Sequence, residues 1–496
     1  MIKLVLYFFL VLLCYSCATS HTHYSPYKKY PKEQLQEDYS LLRNILEKKH
    51  PSLYWYCSKD SMDMYFDKYY QSIGDSMTEQ QFGWKVIAPL TEKIRCGHTS
   101  FGMSRAYNKW VRNRRFPQLP LYMKFWNDSM VLTANLNRKD TVLKKGILIS
   151  SVNGLHYSEL TQKMFGYMTK DGNADNVNYI RLSNNFPYYH RNLFGVSSHY
   201  KIGYLDAAGK EQFIQVPLYS APKDSSKKTL PPKARVKQKK ESRGQRLLAV
   251  RSLSIDTTTS TATLTVNNFT NGWLRKFFRR SFKTIDRFGV QNLVIDLRSN
   301  GGGKINLSTL LTRYITRTPF RVADSSFAKV KSLHPYSRYI KNGFWNDLGL
   351  MFLTHKKSDG NYHYGLWERK LYTPKPAHHY SGAVYVLTNG STFSAAALMC
   401  NTLKGQPGIL LVGEETGGGW YGNNGIMIPD ITLPNTRLRV RLPLFRLVQY
   451  QHVQKDGRGI VPDLIIKPNY RALLNNVDKK MEVVNQLISN NKKVKE

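Results

Sequence analysis

The chain has 496 residues, enough for two or three domains with a substantial hydrophobic core. Lysine and arginine number 73 against 34 aspartates and glutamates, and the resulting net charge of +39 favours anionic partners. No zinc-ligand spacing, RNA-binding signature or phosphate-binding loop accompanies this charge, so the sequence predicts no nucleic-acid partner.

The N-terminus is typical of an export signal. One early lysine precedes an apolar run that is too short to span a bilayer comfortably. The run ends in L-L-C-Y-S-C and resembles a bacterial lipoprotein signal over residues 1–17, with Cys17 as the lipidated residue. Residues 18–30 would then be a polar tether, and a plain cleaved secretory signal is the alternative. We therefore predict a lipid-anchored protein of the bacterial cell envelope that faces the periplasm or the exterior.

Residues 31–108 are predicted to form a helical domain. Apolar residues recur at three- and four-residue steps from Pro31 to His50, which indicates an amphipathic helix. A second helix is predicted to begin at Thr78, with Gln81 at capping-box spacing. His98 follows in the turn R-C-G-H-T-S-F, and such a histidine, taken alone, is more often a hydrogen-bonded structural residue than a catalyst.

Residues 110–221 change to short alternating strands. The run K-G-I-L-I-S-S-V-N-G resembles a strand and turn of PDZ-like domains, and the matching positions are Gly146, Ile149, Asn153 and Gly154. Such domains bind an extended peptide, here the C-terminus of a substrate, by adding it to a sheet. The alternative is a generic small β domain with a hairpin at Asn153-Gly154.

A basic linker over residues 222–247 is predicted to lead into an α/β core at 248–470, which a C-terminal helix at 471–496 follows. In the core, the buried strand 293–297 runs directly into the loop R-S-N-G-G-G at 298–303. Glycines between a strand and a helix let backbone N–H groups approach a ligand closely. Because the spacing of a phosphate loop is absent, an oxyanion hole is the better interpretation.

A second strand-loop-helix unit contains Ser394. The apolar strand Ala383–Leu387 is followed by a short loop and by the helix-forming run 395–399, so Ser394 should lie at a helix N-terminus. The positive end of a helix dipole favours negative charge, such as the oxyanion formed when a serine attacks a carbonyl. From this stretch alone, capping of the helix by Ser391, Thr392 or Ser394 is the better-supported interpretation.

Four motifs occur in a characteristic order: D-L-R-S-N-G-G-G at 296–303, T-N-G-S-T-F-S-A-A at 388–396, V-G-E-E-T-G-G at 412–418 and G-R-G-I-V-P-D at 457–463. Together they resemble the serine peptidase family of C-terminal processing (tail-specific) proteases and the tricorn core. The resemblance covers nearly the whole mature chain. It implies an α/β catalytic core of the crotonase and ClpP type, preceded by an N-terminal helical domain and a PDZ-like β domain.

By this resemblance Ser394 is the nucleophile, Ala395 supplies one oxyanion N–H, and the loop of Gly301 and Gly302 supplies another. The tail-specific branch uses a lysine base in T-F-G-K-G after the serine. The corresponding stretch at 416–420 is T-G-G-G-W and lacks that lysine. The resemblance therefore favours the tricorn-like branch, in which a histidine is the base.

His98 matches the histidine motif of that branch. The family often places a serine before this histidine to orient it, but Gly97 occupies that position here, and Thr99 or Ser100 could substitute. A neutral imidazole has a pKa suited to taking the serine proton. His98 is therefore the predicted base.

The resemblance also implies an acidic residue that supports the histidine. Asp456 lies three residues before Gly459, where the tricorn pattern carries a glutamate, and it is the predicted acid. Glu415 is the rival for this role, and a surface Asp-Gly turn is the structural interpretation of Asp456. Lys455 stays open as an alternative base.

The sequence thus predicts an exported serine endopeptidase that cleaves proteins or peptides through an acyl-enzyme, without a metal or an organic cofactor. One alternative is a catalytically inactive peptide-binding protein on the same fold. In this alternative, catalytic activity would have been lost because the lysine is missing and because Gly97 stands where the family often has a serine. A carrier of apolar ligands is a further alternative, suggested only by the 12% aromatic content.

Overall fold

The structure is a computed structural model. It describes residues 24–126, 128–220, 242–450, 453–467 and 470–493. The predicted signal with Cys17 and most of the basic linker lie outside these described residues. Within the described ranges, no helix has the length and apolar character needed to cross a membrane.

The first part of the chain contains five α-helices and three short strands in its described residues. They are β1 (Lys29–Pro31), α1 (Lys32–Lys49), α2 (Lys59–Gln71), β2 (Ser76–Thr78), α3 (Glu79–Phe82), α4 (Ala88–Lys93), β3 (Phe101–Gly102) and α5 (Arg105–Val111). The predicted capping box is confirmed, because Thr78 and Gln81 each accept the other's backbone N–H through the side chain. A π-helical turn, Gly83–Ile87, joins α3 to α4 just before Pro89, which has no N–H to donate.

The next part is built on an antiparallel sheet. Its elements are β4 (Leu121–Phe125), β5 (Met130–Asn135), β6 (Leu148–Val152), β7 (Leu155–His156), α6 (Tyr157–Phe165), α7 (Asn176–Phe194), β8 (His199–Leu205) and β9 (Glu211–Pro217). The strand order is β4-β5-β6-β8-β9, and β7 pairs with β6. The predicted hairpin is confirmed, since Asn153 and Gly154 both have positive φ, 51° and 80°, as a type I′ turn requires.

Helix α7 does not follow from the apolar pattern of the sequence. Its period is broken within the helix, where Asn185 has φ −157° and ψ 52°, two residues before Pro187. Leu182 and Phe186 are nevertheless fully buried in the core of this sheet. Packing against β4 therefore decides this helix more than its local pattern does.

The remaining part alternates helices and strands. Its elements are α8 (Arg243–Leu248), β10 (Arg251–Asp256), β11 (Thr261–Val266), α9 (Leu274–Arg287), β12 (Asn292–Asp296), α10 (Ile305–Arg313), β13 (Ser325–Ala328), α11 (Gly343–Leu353), β14 (His355–Lys356), β15 (Tyr362–His363), α12 (Gly365–Arg369), β16 (Ala383–Thr388), α13 (Ala395–Leu403), β17 (Ile409–Gly413), β18 (Gly422–Ile426), β19 (Asp430–Thr432), β20 (Arg439–Arg441), β21 (Phe445–Val448), β22 (Leu464–Ile465), α14 (Tyr470–Leu474) and α15 (Lys479–Lys493). The predicted strand and helix around the glycine loop are confirmed as β12 and α10, and those around Ser394 as β16 and α13.

The main sheet of this part has the order β10-β11-β12-β16-β17-β22 and is parallel from β11 onward. Helices cover both faces, so alternate residues of one strand enter different cores. Ile295 belongs to the cluster that includes α9, α10 and α13, whereas Val294 packs with Val484 and Ile488 of α15. Because β12 and β16 are neighbouring parallel strands, the loops that follow them meet at one edge of the sheet.

Two smaller sheets lie beside this core, and the second includes a strand from the first part of the chain. One has the order β14-β15-β13-β21-β18, and the other has the order β19-β20-β3. In the second sheet Phe101 of β3 pairs with Val440 of β20. Leu42 of α1 also shares a buried cluster with Leu350 and Val440. These contacts bring the turn before β3, which contains His98, to the α/β core.

Candidate active site

Ser394 lies in the sharp turn between β16 and α13. Its backbone has φ 53° and ψ −121°, a conformation that residues other than glycine rarely adopt. The side chain makes no capping hydrogen bond to α13, so the capping interpretation of Ser394 is wrong. Its Oγ instead lies 3.1 Å from Nε2 of His98. A strained turn between a strand and a helix is one way in which proteins present a serine nucleophile.

Two hydrogen bonds hold this turn against the glycine loop that follows β12. The Phe393 N–H donates to the Asn300 carbonyl at 3.0 Å, and the Thr392 hydroxyl donates to the Leu297 carbonyl at 3.0 Å. The backbone strain at Ser394 is therefore supported by contacts between two loops of one sheet edge.

His98 reaches the serine from the turn between α4 and β3, 296 positions earlier in the chain. Its ring is buried and packs on the ring of Phe393, with centroids 4.8 Å apart. Burial, and secondarily the positive charges of Arg441 and Arg181, lower the pKa of His98 to about 3. The imidazole is therefore neutral at neutral pH. Its Nε2 can accept the serine proton when Nδ1 carries the ring hydrogen.

The backbone N–H groups of Ala395, at the start of α13, and of Gly301, in the glycine loop, are among those on these two segments for which no acceptor is found within the described residues. The prediction for Gly302 is corrected, because its N–H donates to the Asn300 side-chain oxygen at 2.9 Å. Gly302 instead allows the glycine loop and the turn of Ser394 to approach each other closely. A Cβ there would lie 2.7 Å from the Cβ of Ser394 and 3.0 Å from the N of Ala395. The N–H groups of Ala395 and Gly301 can thus hold an oxyanion, and Gly302 lets the two loops meet.

Residues 260–466, which include Ser394 and the glycine loop, match the model of Peptidase family S41. The match covers less than half of the chain, and we call the matched segment the S41 domain. Among curated proteins none matches the chain significantly.

Solved structures resemble the S41 domain together with the preceding parts of the chain. Mature CPAF complexed with lactacystin is 15% identical, with a TM-score of 0.62 over 92% of this chain and 99% of that one. A mutant of CPAF is 14% identical, with a TM-score of 0.63 over 92% of this chain and 98% of that one. The tricorn protease is 13% identical with a TM-score of 0.41, covering 92% of this chain and 37% of that one. At 14% and 15% identity, the likeness to CPAF shows a shared fold.

The S41 domain does not bring Asp456 to His98. The Asp456 side chain is exposed and accepts the Arg458 backbone N–H at 2.8 Å. No hydrogen bond joins it to His98 within the described part of the chain. The physical reason is that the loop of Asp456 packs against the turn after α6. The Asn173 N–H of that turn donates to the Gly457 carbonyl at 2.7 Å.

Two other candidates also have partners of their own. The Glu415 carboxylate accepts the Gly459 N–H at 2.8 Å. The Lys455 ammonium donates to the Trp55 carbonyl at 3.1 Å. Neither side chain makes a hydrogen bond to Ser394 or His98 in the described structure, so neither is placed to move the serine proton.

Thr99 does not orient His98. Its hydroxyl lies 2.7 Å from Nε2 of His50, and the Ser52 N–H donates to Nδ1 of that histidine. His50 therefore carries its hydrogen on Nε2 and donates to Thr99. Thr99 helps to hold the turn before β3 rather than contacting the imidazole of His98.

Asp171 is an acidic residue beside His98 that the sequence did not single out. It is 3% exposed, and its carboxylate accepts the N–H of Gly97 at 2.7 Å and that of Gly419 at 3.4 Å. A carboxylate oxygen of Asp171, a ring nitrogen of His98 and the Sγ of Cys96 all lie within 4.8 Å of one another. The local sequence K-D-G resembles an ordinary surface turn, so no motif could have identified Asp171.

Cys96, His98 and Asp171 form the group of potential metal ligands found in the described part of the chain. Burial raises the pKa of the Cys96 thiol to about 12, and the Asn424 amide donates to its Sγ at 3.3 Å. His98 faces Ser394 through Nε2, the Asp171 carboxylate accepts two backbone N–H groups, and the Cys96 thiol accepts the Asn424 amide, so each of these side chains already has a partner. The chemistry of these side chains therefore does not fit a metal site.

Gly425 of β18 is a further residue that sequence analysis missed. A Cβ at this position would lie 3.0 Å from Ser394 Oγ and 3.4 Å from His98 Nε2. The absence of a side chain at Gly425 thus lets the backbone of β18 pack beside the serine and the histidine without crowding them. The register of β18 with β21, which is irregular between Asn423 and Ile426, decides this position.

Proposed function

We propose that the protein is a serine endopeptidase that hydrolyses peptide bonds of proteins or peptides through an acyl-enzyme. The observation that carries this proposal is the 3.1 Å contact between Ser394 Oγ and His98 Nε2. The contact lies beside the backbone N–H of Ala395 and the glycine loop of Gly301 and Gly302, in a segment that matches a peptidase family. These are the parts that acyl transfer requires: a nucleophile, a base and donors for the developing oxyanion.

The reaction follows from this arrangement. Ser394 Oγ attacks the peptide carbonyl carbon while its proton passes to Nε2 of His98. The negative charge that develops on the carbonyl oxygen is stabilised by the N–H groups of Ala395 and Gly301. The imidazolium of His98 then gives its proton to the leaving amine, and an acyl-enzyme remains. Water, deprotonated by His98, attacks the ester and releases the acid.

We also propose that the substrate is a polypeptide, that the sheet of β4 to β9 receives its C-terminus, and that the protein acts in the cell envelope. The first two points rest on the family resemblance and the PDZ-like motif at Gly146, Ile149, Asn153 and Gly154. The location rests on the N-terminal apolar run and Cys17. Metabolic labelling with a radioactive fatty acid should mark the parent chain and not Cys17→Ser.

The test of the enzymatic proposal compares the chain lacking its signal with its Ser394→Ala variant. We expect the parent protein to cleave an unstructured protein such as casein and to react covalently with a fluorophosphonate at Ser394. The variant should do neither, while its thermal unfolding stays close to that of the parent. A parent chain that neither cleaves nor labels over a broad pH range would favour a non-catalytic peptide-binding protein on this fold.

A further inference from the structure

The mechanism leaves one polar atom of His98 unexplained. Nδ1 is buried and has no hydrogen-bond partner among the described residues. When Nε2 takes the serine proton, the ring becomes a buried cation, and the positive charges of Arg441 and Arg181 disfavour it. A buried charge without an opposite charge or a hydrogen bond is costly. The site therefore needs a negative group near this ring.

Asp171 is held where it can supply that charge. The turn after α6 is fixed from both sides, because the Gly172 N–H donates to the Arg95 carbonyl at 2.9 Å and the Asn173 N–H donates to the Gly457 carbonyl. The Asp171 carboxylate also accepts the N–H of Gly97, the residue directly before His98. Its position relative to the histidine is thus set by backbone contacts.

Gly97 is the residue that makes this approach possible. A Cβ at position 97 would lie 3.1 Å from Oδ1 of Asp171 and 2.6 Å from Cζ of Phe393. A serine at this position would therefore displace both the carboxylate and the ring on which His98 packs. In this chain the space beside the histidine turn is taken by a carboxylate from a distant turn.

We propose that Asp171 is the positioning carboxylate of the site: it orients His98 and stabilises the imidazolium that forms when Ser394 loses its proton. This inference rests on the proposed function. A carboxylate oxygen lies within 4.8 Å of a His98 ring nitrogen in the resting structure. Such contacts tighten when substrate binds and the imidazole gains its charge. Asp456, the acid predicted by motif, makes its bonds to its own loop instead.

The surroundings of Asp171 give this role a signature in pH. Burial raises the pKa of its carboxyl to about 6, partly opposed by the N–H groups of Gly97 and Gly419 and by the charge of Arg181. The other titratable groups around it, besides His98, are the Cys96 thiol and the Tyr56 phenol, whose pKa values burial raises. Asp171 is therefore the group expected to change charge near pH 6. Activity should fall as pH drops through this value.

The experiment measures kcat and KM against pH, together with the rate of fluorophosphonate labelling, for the parent protein, Asp171→Asn and Asp456→Asn. In Asp171→Asn we expect kcat and the labelling rate to fall on the order of 10³-fold to 10⁴-fold, as for loss of the carboxylate behind a catalytic histidine. KM should change little. The fall in kcat on the acid side of the pH profile near pH 6, the acid limb, should disappear.

Other results would overturn the proposal while leaving the enzymatic function intact. If Asp171→Asn loses rate but keeps the acid limb, Asp171 only holds the Gly97 turn. If Asp456→Asn shows the large loss and Asp171→Asn does not, Asp456 is the acid. Should Asp171→Asn fail to fold, Asp171→Glu keeps the charge, and it should retain the acid limb at a reduced rate. If Asp171→Glu lacks the acid limb in its pH profile, the proposal is also overturned. A parent protein that neither labels nor cleaves removes the enzymatic proposal itself.

Discussion

The serine side of the site is assembled locally, whereas the histidine side is assembled from distant parts of the chain. Ser394 and its backbone donors come from segments after two adjacent strands of one sheet. One hydrogen bond from Phe393 to Asn300 and another from Thr392 to Leu297 join these segments. His98 comes from a turn 296 positions away. Local geometry can therefore be read from a strand-loop-helix pattern, but the base and its support depend on how three parts of the chain pack together.

The largest expected effect tests whether the histidine side is as essential as the serine side. His98→Ala should lower kcat by roughly 10⁴-fold to 10⁶-fold, because nucleophile and base act as a unit. Fluorophosphonate labelling of Ser394 should slow in parallel. Lys455→Gln is the matched control, and it should keep parental activity because its ammonium bonds the Trp55 carbonyl. A large loss in Lys455→Gln and none in His98→Ala would reverse the assignment of the base.

The next effect tests the local construction of the serine side. Gly302→Ala should lower kcat by about 10²-fold to 10³-fold, comparable to loss of an oxyanion donor, because its Cβ would push Ser394 and the N–H of Ala395 out of place. Gly302 has φ +95°, so the substitution also strains the backbone. Gly405→Ala separates these causes, since Gly405 has φ +78° with open space around it. That control should lose about 1–2 kcal/mol of stability and keep its kcat.

A third effect concerns stability on the histidine side. Burial raises the pKa of Asp171 from 3.8 to about 6. The folded protein therefore binds the proton of the Asp171 carboxyl group more tightly than the unfolded chain does. Stability from this group therefore increases as pH falls from about 6 towards 3.8, and the ionised carboxylate destabilises the fold at pH 7. Asp171→Asn should raise the free energy of unfolding at pH 7 by up to about 3 kcal/mol. Chemical denaturation at pH 7 and at pH 4 checks this, and an equal gain at both pH values would contradict the assignment of the charge.

The smallest effect tests the space between the two sides. Gly425→Ala should reduce kcat/KM roughly tenfold, because the new methyl group would lie 3.0 Å from Ser394 Oγ and crowd the attacking oxygen. Small fluorophosphonates should be less affected than protein substrates. Unchanged cleavage of casein would mean that substrate approaches from another direction.

Sequence patterns predicted β12, α10, β16 and α13 because buried strands and amphipathic helices leave regular apolar spacing. The position of Ser394 at a helix start followed from the same pattern, and its role came from the family motifs. Helix α7 escaped prediction because Asn185 and Pro187 interrupt its period, and only burial of Leu182 and Phe186 against the sheet supports it. Tertiary packing supplied what local propensity lacked.

The acidic residue shows where motif spacing stops being informative. Asp456 has the expected position in the chain, yet its carboxylate turns to the Arg458 N–H, while Asp171 lies in an unremarkable K-D-G turn and is buried next to His98. Spacing along the sequence predicts which residues are neighbours within one loop. It does not predict which loops pack against each other in the folded chain. The sequence by itself determined the strands, the glycine loops and the serine turn, because these depend on periodicity and local backbone chemistry. Only the tertiary structure decided which imidazole and which carboxylate come close to that serine, because contacts between residues hundreds of positions apart depend on the packing of whole layers.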